Sequence, residues 1–454
     1  MSTSSPLIVS ISGIRGIVGE SLTDDCVRRF ASAFGSALQP GDAVVLARDT
    51  RPSGAGFAAV IAEALRGCGC RVLDLGVCST PGAKLMVLER SAAGAIIVTA
   101  SHNPKPWNGL KMIREDGVFL NAEQGQRIVD LYEAGDFRQS PGGSLETLDP
   151  SESTRRHLER ILAAVDVDSI RRAGLKAAVD PCNGTGGILL PELLRALEVE
   201  AHFIHAEPDG EFAHEPEPVP ANLVDLGAAV RDNGCHVGFA VDPDADRVAL
   251  VADDGRPLGE DYTLALAVQA QTARQRGTVV TTLSTSQIVS DAARANGCPV
   301  VLTPVGEVNV VEKMIEEEAV VGGEGNGGVI LTEVDPGRDG ALGVALVLEA
   351  LAQAGEGLKA LAASLPAYHI EKRKVDCTAE QLERSIGGLL ERYPDAYRHP
   401  VDDGAKIYIG GAEACPWIHL RPSNTEPIVR IIAESASETE AKALCDEAEG
   451  LLAG

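Results

Sequence analysis

A hydroxyl group follows an apolar, strand-like run in the first third of the chain. Residues 96–98 are apolar, Ser101 and His102 come next, and Pro104 favours an extended, exposed turn. Such a turn presents Ser101 as a nucleophile. Downstream, Lys111 offers an ammonium group that can bind a phosphate or act as a base. The same residues also fit a strand-end turn in which Ser101 only caps the backbone.

Three carboxylates stand at alternate positions between two apolar runs, at Asp242, Asp244 and Asp246. Hard anionic oxygens that converge in this way suit Mg²⁺ better than a soft metal. An EF-hand is disfavoured, although Asp253 stands at its twelfth position, because the sixth position holds Arg247 instead of Gly. A solvated acidic turn is the other interpretation, but three carboxylates packed against buried strands would repel one another.

A glycine-rich segment contains the pattern G-x-G-x-x-G at Gly323, Gly325 and Gly328. A dinucleotide-binding loop needs a helix after the last glycine, whereas the sequence here continues as a strand-like run. We favour a tight loop that brings Glu324 and Asn326 to the hydroxyl groups of a sugar. A purely structural turn remains the alternative.

A fourth loop near the C-terminus concentrates hydroxyl, amide and guanidinium donors, a set that suits a dianionic phosphate. The residues are Arg421, Ser423, Asn424, Thr425 and Arg430. In isolation, this loop also fits an ordinary polar turn with surface arginines.

Short runs rich in Val and Ile precede each of the first three loops and alternate with helix-like stretches. This pattern predicts βαβ units whose sheets are covered on both faces, with ligands at the carboxyl ends of the strands. The predicted α/β domains span 1–150, 151–255 and 256–365, and the alternating pattern of 366–454 predicts a smaller α+β domain. The three blocks share no register of identities that would establish a repeat.

Composition excludes several classes of function. With 44% hydrophobic residues the chain is globular, and a net charge of −26 argues against nucleic acid or an anionic membrane as a partner. We expect a cytoplasmic protein with reduced cysteines, because signal-peptide and membrane-span patterns are missing. A phosphorylated substrate would need a locally positive cleft in so acidic a molecule.

Together and in this order, the four loops resemble those of the α-D-phosphohexomutase family, over nearly the whole chain. The resemblance implies a heart-shaped molecule of three α/β domains with mixed sheets and a C-terminal α+β domain around a central cleft. It implies an isomerase that moves a phosphoryl group between the 6- and 1-positions of a hexose through a phosphoserine and a bisphosphate. One Mg²⁺ per chain, a hexose bisphosphate activator and a monomer or homodimer are implied as well.

The resemblance also assigns roles to individual residues. The metal ligands would be Ser101, Asp242, Asp244 and Asp246. The catalytic residues would be Ser101, His102, Lys111, Arg247 and Glu307. Substrate would be bound by Arg15, Glu324, Asn326, Arg421, Ser423, Asn424, Thr425 and Arg430.

This chain departs from the common family pattern at the presumed sugar site. Many members carry a Ser and a His where Asn326 and Gly328 stand, and another frequent His is Glu307 here. Histidine acid/base roles therefore cannot be carried over, which leaves Glu307, Lys111 and His102 as candidates.

The glycine-rich loop 323–328, called the sugar loop below, resembles that of a family branch often assigned to glucosamine phosphate. Mannose or glucose phosphate is the alternative substrate. A dinucleotide-binding oxidoreductase is a remote alternative. A catalytically inactive sugar-phosphate-binding protein ranks last, because the nucleophile and the metal ligands are all present.

Overall fold

The computed structural model describes residues 7–10, 13–423 and 428–453. Among the helices of these residues, none combines the length and the apolar character that a membrane-spanning helix needs. All ten cysteines lie in this part of the chain and are free thiols, as the sequence predicts.

The first sheet has seven strands in the order β1-β2-β6-β5-β3-β4-β7 and is mixed, with parallel pairing among β3, β4, β5 and β7. Its strands are β1 (Ile8–Ser10), β2 (Gly13–Ile17), β3 (Ala43–Arg48), β4 (Arg71–Val77), β5 (Gly94–Val98), β6 (Trp107–Arg114) and β7 (Ser144–Thr147). Its helices are α1 (Asp24–Ala37), α2 (Gly54–Gly67), α3 (Thr80–Glu89) and α4 (Ala122–Ala134).

The second sheet has four strands in the order β11-β10-β8-β9, and only β11 is antiparallel to its neighbour. The strands are β8 (Lys176–Asp180), β9 (Glu200–Phe203), β10 (Val237–Val241) and β11 (Val248–Ala252). The helices are α5 (Pro150–Ala163), α6 (Val167–Ala173), α7 (Gly186–Ala196) and α8 (Val224–Asn233), with a 3₁₀ turn at Pro220–Asn222.

The third sheet has the order β13-β12-β14-β15, and again only the last strand in sequence is antiparallel. The strands are β12 (Val279–Thr282), β13 (Val300–Thr303), β14 (Val321–Glu324) and β15 (Gly328–Ile330). The helices are α9 (Asp261–Arg274), α10 (Gln287–Ala295), α11 (Glu307–Glu316), α12 (Gly340–Ala354) and α13 (Leu358–Ala363).

The fourth sheet is entirely antiparallel, in the order β16-β20-β19-β18-β17. The strands are β16 (His369–Asp376), β17 (Tyr397–Arg398), β18 (Ala405–Tyr408), β19 (Trp417–Pro422) and β20 (Ile428–Ser435). Two helices accompany it, α14 (Ala379–Arg392) and α15 (Glu438–Ala453). The strands of each sheet all lie within one of the four predicted domains. The domain boundaries at 150, 255 and 365 themselves stay a prediction.

The first three sheets contain the same four-stranded unit. In each unit the first strand lies between the second and the third, all parallel, and the fourth pairs antiparallel with the third. The units are β3 to β6, β8 to β11 and β12 to β15. The structure thus establishes a threefold repeat of strand order that the sequence did not reveal.

Burial explains why these strands read differently in the sequence. Every residue of β5, β10 and β11 is buried, because helices or neighbouring layers cover both faces of the sheet, and these strands are continuous apolar runs. In β16, by contrast, every residue is exposed or half-buried, and a run of four charged residues, 371–374, stands in the middle of the strand. Capping boxes at Asn121 and Thr378 fix the starts of α4 and α14.

Candidate active site

The hairpin loop between the third and fourth strands of each repeated unit lies at the candidate site. These loops are 99–106, called the serine loop, 242–247, called the metal loop, and 325–327 at the centre of the sugar loop. Their side chains and neighbours line a cavity of about 200 Å³, formed by Arg15, Ser101, His102, Lys111, Phe119, Arg247, Gly306, Glu307, Glu324, Asn326 and Arg338. The repeat therefore brings three of the four predicted loops together.

Ser101 lies inside the cleft, not on an exposed turn as the sequence suggested. Its side chain is buried and its backbone is left-handed, with φ of 49°. The Oγ atom donates to Asp242 Oδ2 at 2.7 Å and accepts from Arg247 Nη2 at 3.3 Å. The hydroxyl thus faces the metal loop directly.

A buried arginine holds the serine loop in this conformation. Arg51 Nη2 donates to the carbonyl groups of Ser101 and Asn103 at 2.7 and 2.6 Å. Its Nη1 donates to those of Pro104 and Trp107 at 3.0 and 2.9 Å. Four charge-assisted bonds from one rigid guanidinium fix the curvature of the loop and offset the strain of the left-handed serine.

His102 and Arg15 flank the serine. His102 Nδ1 accepts a hydrogen bond from Arg247, and Arg15 Nη1 donates to Asn103 Oδ1 at 3.0 Å. Burial, together with the charges of Arg247 and Arg15, lowers the pKa of His102 to about 2. The imidazole is therefore neutral at physiological pH and has no proton to donate as a general acid.

The three aspartates of the metal loop converge and are fully buried. One carboxylate oxygen from each of Asp242, Asp244 and Asp246 lies within 4.8 Å of the other two. Asp244 Oδ1 and Asp246 Oδ1 find no hydrogen-bond donor within the described part of the chain. Burial, followed by the charges of Asp246 and Asp244, raises the pKa of Asp242. A hard divalent cation fits this donor set, because it would bind the orphaned oxygens and relieve the repulsion.

An ammonium group and a hydroxyl group already donate hydrogen bonds to two of these aspartates. Lys111 Nζ donates to Asp244 and Asp246 at 2.6 and 2.8 Å, and Thr80 Oγ1 donates to Asp244 at 2.5 Å. Burial alone would lower the pKa of Lys111, but the two aspartates raise it above its ordinary value. Lys111 is thus an ammonium group in this arrangement and binds anions.

Glu324 anchors the sugar loop. Its Oε1 accepts the N–H of Gly306 at 3.1 Å and its Oε2 accepts from Arg338 Nη1 at 2.8 Å, with Asn326 Nδ2 at 3.4 Å. Strand β15 begins at Gly328, immediately after the loop. A dinucleotide fingerprint needs a helix there, so that alternative is excluded.

Arg338 is a site residue that sequence reasoning missed. Besides Glu324, its guanidinium contacts Asp246 at 2.9 Å and Glu307 at 3.1 Å. Gly328 makes room for it, because a methyl group at position 328 would lie 2.2 Å from Arg338 Cδ. One indication was present in the sequence. Arg338 is a cationic residue directly after the Pro-Gly turn at Gly337, downstream of the strand that follows the sugar loop.

Glu307 is paired on both sides. Lys84 Nζ donates to its Oε1 at 2.9 Å, and the backbone N–H of Arg338 donates to the same oxygen at 3.1 Å. Lys84 is itself fully buried and also contacts Asp335 at 3.1 Å. The carboxylate of Glu307 lines the cavity, but its bonds position Arg338.

The fourth predicted loop, called the phosphate loop, begins at Arg421, and Arg421 and Arg430 line a second cavity of about 310 Å³. Arg421 and Arg430 are cross-strand partners on β19 and β20, and both line this cavity. Arg421 Nε also donates to both carboxylate oxygens of Asp403 at 3.0 Å. The backbone N–H of Ser423 donates to the carbonyl of Ile428 at 2.9 Å, while Asn424 and Thr425 lie outside the described residues.

Basic residues of β16 also line this second cavity and were not predicted. They are Lys372, Arg373 and Lys374, three consecutive residues of an antiparallel strand. The basic run is visible in the sequence, but the sheet that the strand joins is not. Thr80 gave no signal at all, because it is an ordinary first residue of helix α3.

Comparison with known proteins gives matches along the whole chain. Residues 7–139, 155–255 and 259–368 match α/β/α domains I, II and III of phosphoglucomutase/phosphomannomutase, and 373–451 match its C-terminal domain. These matches bear out the fold class and the family resemblance predicted from the sequence.

Individual relatives match over nearly their full length. The chain is 34% identical over 438 residues to a phosphoglucomutase/phosphomannomutase of Thermococcus kodakarensis, covering 95% of each chain. It is 36% identical over 442 residues to a probable phosphoglucosamine mutase of Methanopyrus kandleri, covering 96% of this chain and 95% of the relative. A phosphoglucomutase/phosphomannomutase family protein of Burkholderia thailandensis superposes with a TM-score of 0.84 at 28% identity, covering 98% of each chain.

Proposed function

Because this chain belongs to the phosphoglucomutase/phosphomannomutase family of isomerases, we propose that it interconverts glucosamine 6-phosphate and glucosamine 1-phosphate through a phosphorylated Ser101. A glucosamine bisphosphate would be the intermediate, and a hexose bisphosphate would prime the serine.

One observation carries the proposal: two cavities share the sugar loop. Glu324 and Asn326 line both the cavity that contains Ser101 and the cavity that contains Arg421 and Arg430. A hexose held at Glu324 would thus have one end at the nucleophile and the other end at a pair of guanidinium groups. Arg421 and Arg430, with Ser423, Asn424 and Thr425, would bind the phosphate that is not transferred.

The transfer step exchanges one oxygen–phosphorus bond for another. A sugar hydroxyl attacks the phosphorus of phosphorylated Ser101, the bond to Ser101 Oγ breaks, the hydroxyl gives up its proton and Ser101 Oγ takes one up. Arg247, which lies 3.3 Å from Oγ, would stabilise the negative charge on the transferring group. The reverse step, from the other phosphate of the bisphosphate, regenerates phosphoserine.

The metal loop would hold one Mg²⁺ through Asp242, Asp244 and Asp246 together with a phosphoserine oxygen. When bound, the ion supplies Lewis-acid stabilisation of phosphoryl charge. Lys111 and Arg338, which now neutralise the aspartates, would then be freed in part to contact phosphate oxygens. Arg15, through Asn103, would keep the serine loop facing the ion.

Few residues of the site could act as the general base that accepts the proton of the attacking hydroxyl. His102 is neutral and faces Arg247, so it would act only by accepting a hydrogen bond. Glu307 and Lys111 are each tied in ion pairs in this arrangement. We propose that Lys111, displaced from the aspartates when the cation binds, first releases a proton to solvent and then, as a neutral amine, takes the proton of the attacking hydroxyl.

The preference for glucosamine rests on charge and on the relatives. Carboxylates of Glu324 and Glu307 line the cavity next to the shared sugar loop, and both are paired with Arg338. If Arg338 turns to phosphate oxygens when substrate binds, these carboxylates would favour an ammonium group at the 2-position. The Methanopyrus kandleri relative is named a probable phosphoglucosamine mutase.

The test is a set of parallel coupled assays on the 1-phosphates of glucosamine, mannose and glucose, with Mg²⁺ and a bisphosphate activator. We expect the highest kcat/KM for glucosamine 1-phosphate. A higher value for mannose or glucose 1-phosphate would assign the activity named for the Thermococcus kodakarensis relative instead. Turnover of none of the three would reject the proposed function.

A further inference from the structure

Two histidines converge on a buried aspartate at the carboxyl end of β8, beside the strand that leads into the metal loop. Asp180 is the last residue of β8 and pairs in register with Ala240 of β10, the strand that leads into the metal loop. His205 and His214 come from the segment that follows β9. None of the three takes part in the proposed reaction.

The donor atoms of this cluster meet at one point. Asp180 Oδ2 lies 3.0 Å from His205 Nδ1 and 3.0 Å from His214 Nε2. The three atoms all lie within 4.8 Å of one another. Asp180 is buried, whereas the two imidazoles are 22% and 17% exposed, so that an ion has a path from solvent.

Two of the three ligands are oriented by a partner outside the cluster. His214 Nδ1 donates to the carbonyl of Glu215 at 2.8 Å, so that Nε2 faces Asp180 Oδ2, and the hydrogen bond to Asp180 raises the pKa of His214 to about 11. Asp180 Oδ1 accepts the backbone N–H of Cys182 at 2.9 Å, which leaves Oδ2 for the cluster. Without a metal, a proton on Nε2 therefore bridges the imidazole and the carboxylate, and a metal ion would bind there in place of that proton. Carbonyl-oriented imidazoles and hydrogen-bonded carboxylates are the usual surroundings of bound transition metals.

We propose that Asp180 Oδ2, His205 Nδ1 and His214 Nε2 bind a transition-metal ion of the Zn²⁺ class, at a site separate from the Mg²⁺ site of Asp242, Asp244 and Asp246. Two imidazoles and one carboxylate form a common three-ligand set for Zn²⁺, with water in the fourth position. Nitrogen ligands select such ions over Mg²⁺, whereas the all-oxygen aspartate loop favours Mg²⁺.

The bound ion would stiffen the support of the metal loop. Residues 181–185, which follow Asp180, touch that loop directly: the backbone N–H and Oγ1 of Thr185 donate to the carbonyl of Pro243 at 2.8 and 3.0 Å. Asn183 in the same segment accepts from Thr50 Oγ1 of the first domain at 2.9 Å. An ion at Asp180 would fasten this segment to the 205–214 segment, which makes it a positioning element.

Cobalt is the probe for this site. Full-length protein, stripped of metal by chelator and then saturated with Mg²⁺ to fill the aspartate loop, is titrated with Co²⁺ and followed by its visible d–d absorption. We expect about one Co²⁺ per chain, displaced by about one Zn²⁺ per chain, with nitrogen-ligated intensity. Anomalous diffraction at the zinc edge should place the ion between the two imidazoles.

Variants separate this site from its surroundings. His214→Gln and His205→Gln should each weaken Co²⁺ binding at least about a hundredfold, because each removes a direct ligand. His202→Gln, which changes a nearby histidine outside the cluster, should bind as the unmodified protein does. Asp244→Asn should also retain the absorption, since it alters only the aspartate loop.

Three outcomes would overturn the proposal: Co²⁺ and Zn²⁺ that dialyse away in Mg²⁺ buffer, an absorption that survives His214→Gln, or one that Asp244→Asn abolishes. The first would leave Asp180, His205 and His214 as an imidazolium–carboxylate cluster held by protons alone. Circular dichroism of the glutamine variants checks their folding, and the diffraction experiment on the unmodified protein decides the question if both variants unfold.

Discussion

At the scale of single residues, Arg338 connects parts of the site that come from different loops. Its guanidinium contacts Asp246 of the metal loop, Glu324 of the sugar loop and Glu307 of helix α11. Burial alone would lower its pKa, but the surrounding carboxylates raise it, so the charge is permanent. Arg338 thus ties cation binding to sugar binding.

Gly328→Ala tests this connection. The new methyl group would lie 2.2 Å from Arg338 Cδ and displace the guanidinium from Glu324 and Asp246. Lost charge-assisted bonds of about 1.5–3 kcal/mol should lower kcat/KM roughly ten- to a hundredfold. Gly387→Ala is the matched control, because a methyl group there meets nothing within 4 Å, and its kinetics should be unchanged. Equal kinetics for the two variants would remove Arg338 from the site.

Ser101→Ala should remove phosphoryl transfer and leave the fold intact. The residue is placed as a nucleophile facing Asp242, and losing it should cost at least about a thousandfold in kcat, or roughly 4 kcal/mol of barrier. Steady-state turnover and phosphoprotein mass, compared with Ser364→Ala in a distant helix end, provide the measurement. Turnover within about tenfold of the unmodified enzyme would exclude a covalent serine.

At the scale of elements, the predictable part of the site was local in sequence. Ser101 and the three aspartates stand within a few residues of their strands, so spacing marked them as candidates, and the family resemblance then favoured them over ordinary turns. Arg338 and Thr80 reach Asp246 and Asp244 across 92 and 164 residues of sequence, and nothing short-range encodes such contacts. The repeated strand order was missed for the same reason, because crossovers place neighbours in the sheet far apart in the chain.

The metal loop predicts a requirement for divalent cation. Asp244→Asn removes one of three charges and should weaken Mg²⁺ binding as well as lower the rate, because Asp244 Oδ1 is a buried oxygen with no donor among the described residues. Titrating Mg²⁺ into chelator-treated enzyme and measuring turnover gives both quantities. If excess EDTA leaves the rate of the unmodified enzyme unchanged, the loop does not hold a catalytic cation.

The contact between the third and fourth domains should be sensitive to acid. His419 Nε2 donates to the carbonyl of Asp403 at 2.7 Å and its Nδ1 accepts from Ser284 Oγ at 3.0 Å, a pairing that only the neutral ring makes. Burial lowers the pKa of His419 to about 4, below its ordinary value of 6.5.

The unfolded chain therefore binds a proton between about pH 6.5 and 4 that the folded chain does not, and stability is lost as pH falls through that range. The loss should be on the order of 3 kcal/mol. Urea unfolding followed by the fluorescence of Trp417, in protein whose other tryptophan is replaced (Trp107→Phe), measures it. His419→Gln keeps a donor and an acceptor and should flatten the dependence, whereas exposed His369→Gln should leave it as steep as in the unmodified protein.

At the scale of the whole molecule, the chain carries a large negative net charge, whereas its cleft is lined by basic residues. The net charge of −26 would repel a phosphorylated substrate, yet the cavity walls carry Arg15, Arg247, Lys111 and Arg338. Arg421, Arg430 and the basic residues of β16 add positive charge at the far end. Since Debye screening is short, about 8 Å at physiological salt, these local charges dominate once the substrate enters.

Because the cleft is shared, Glu324→Gln should raise KM in both reaction directions. One carboxylate between the two cavities would serve the 1-phosphate and the 6-phosphate forms in turn, and weakened bonds of about 1.5–3 kcal/mol correspond to roughly ten- to a hundredfold. Kinetics measured from each sugar phosphate test this. An increase in one direction only would return the sugar loop to a structural role.

The repeated unit also makes the enzyme modular. Its three hairpins occupy equivalent positions, yet in the proposed function one would carry the nucleophile, one the cation ligands and one the sugar contacts. Substrate preference can therefore be re-engineered within 325–327 and its neighbours while the serine hairpin keeps its clamp on Arg51. Arg338 sets the limit of that independence, because a redesigned third hairpin that releases it would disturb Asp246 in the second.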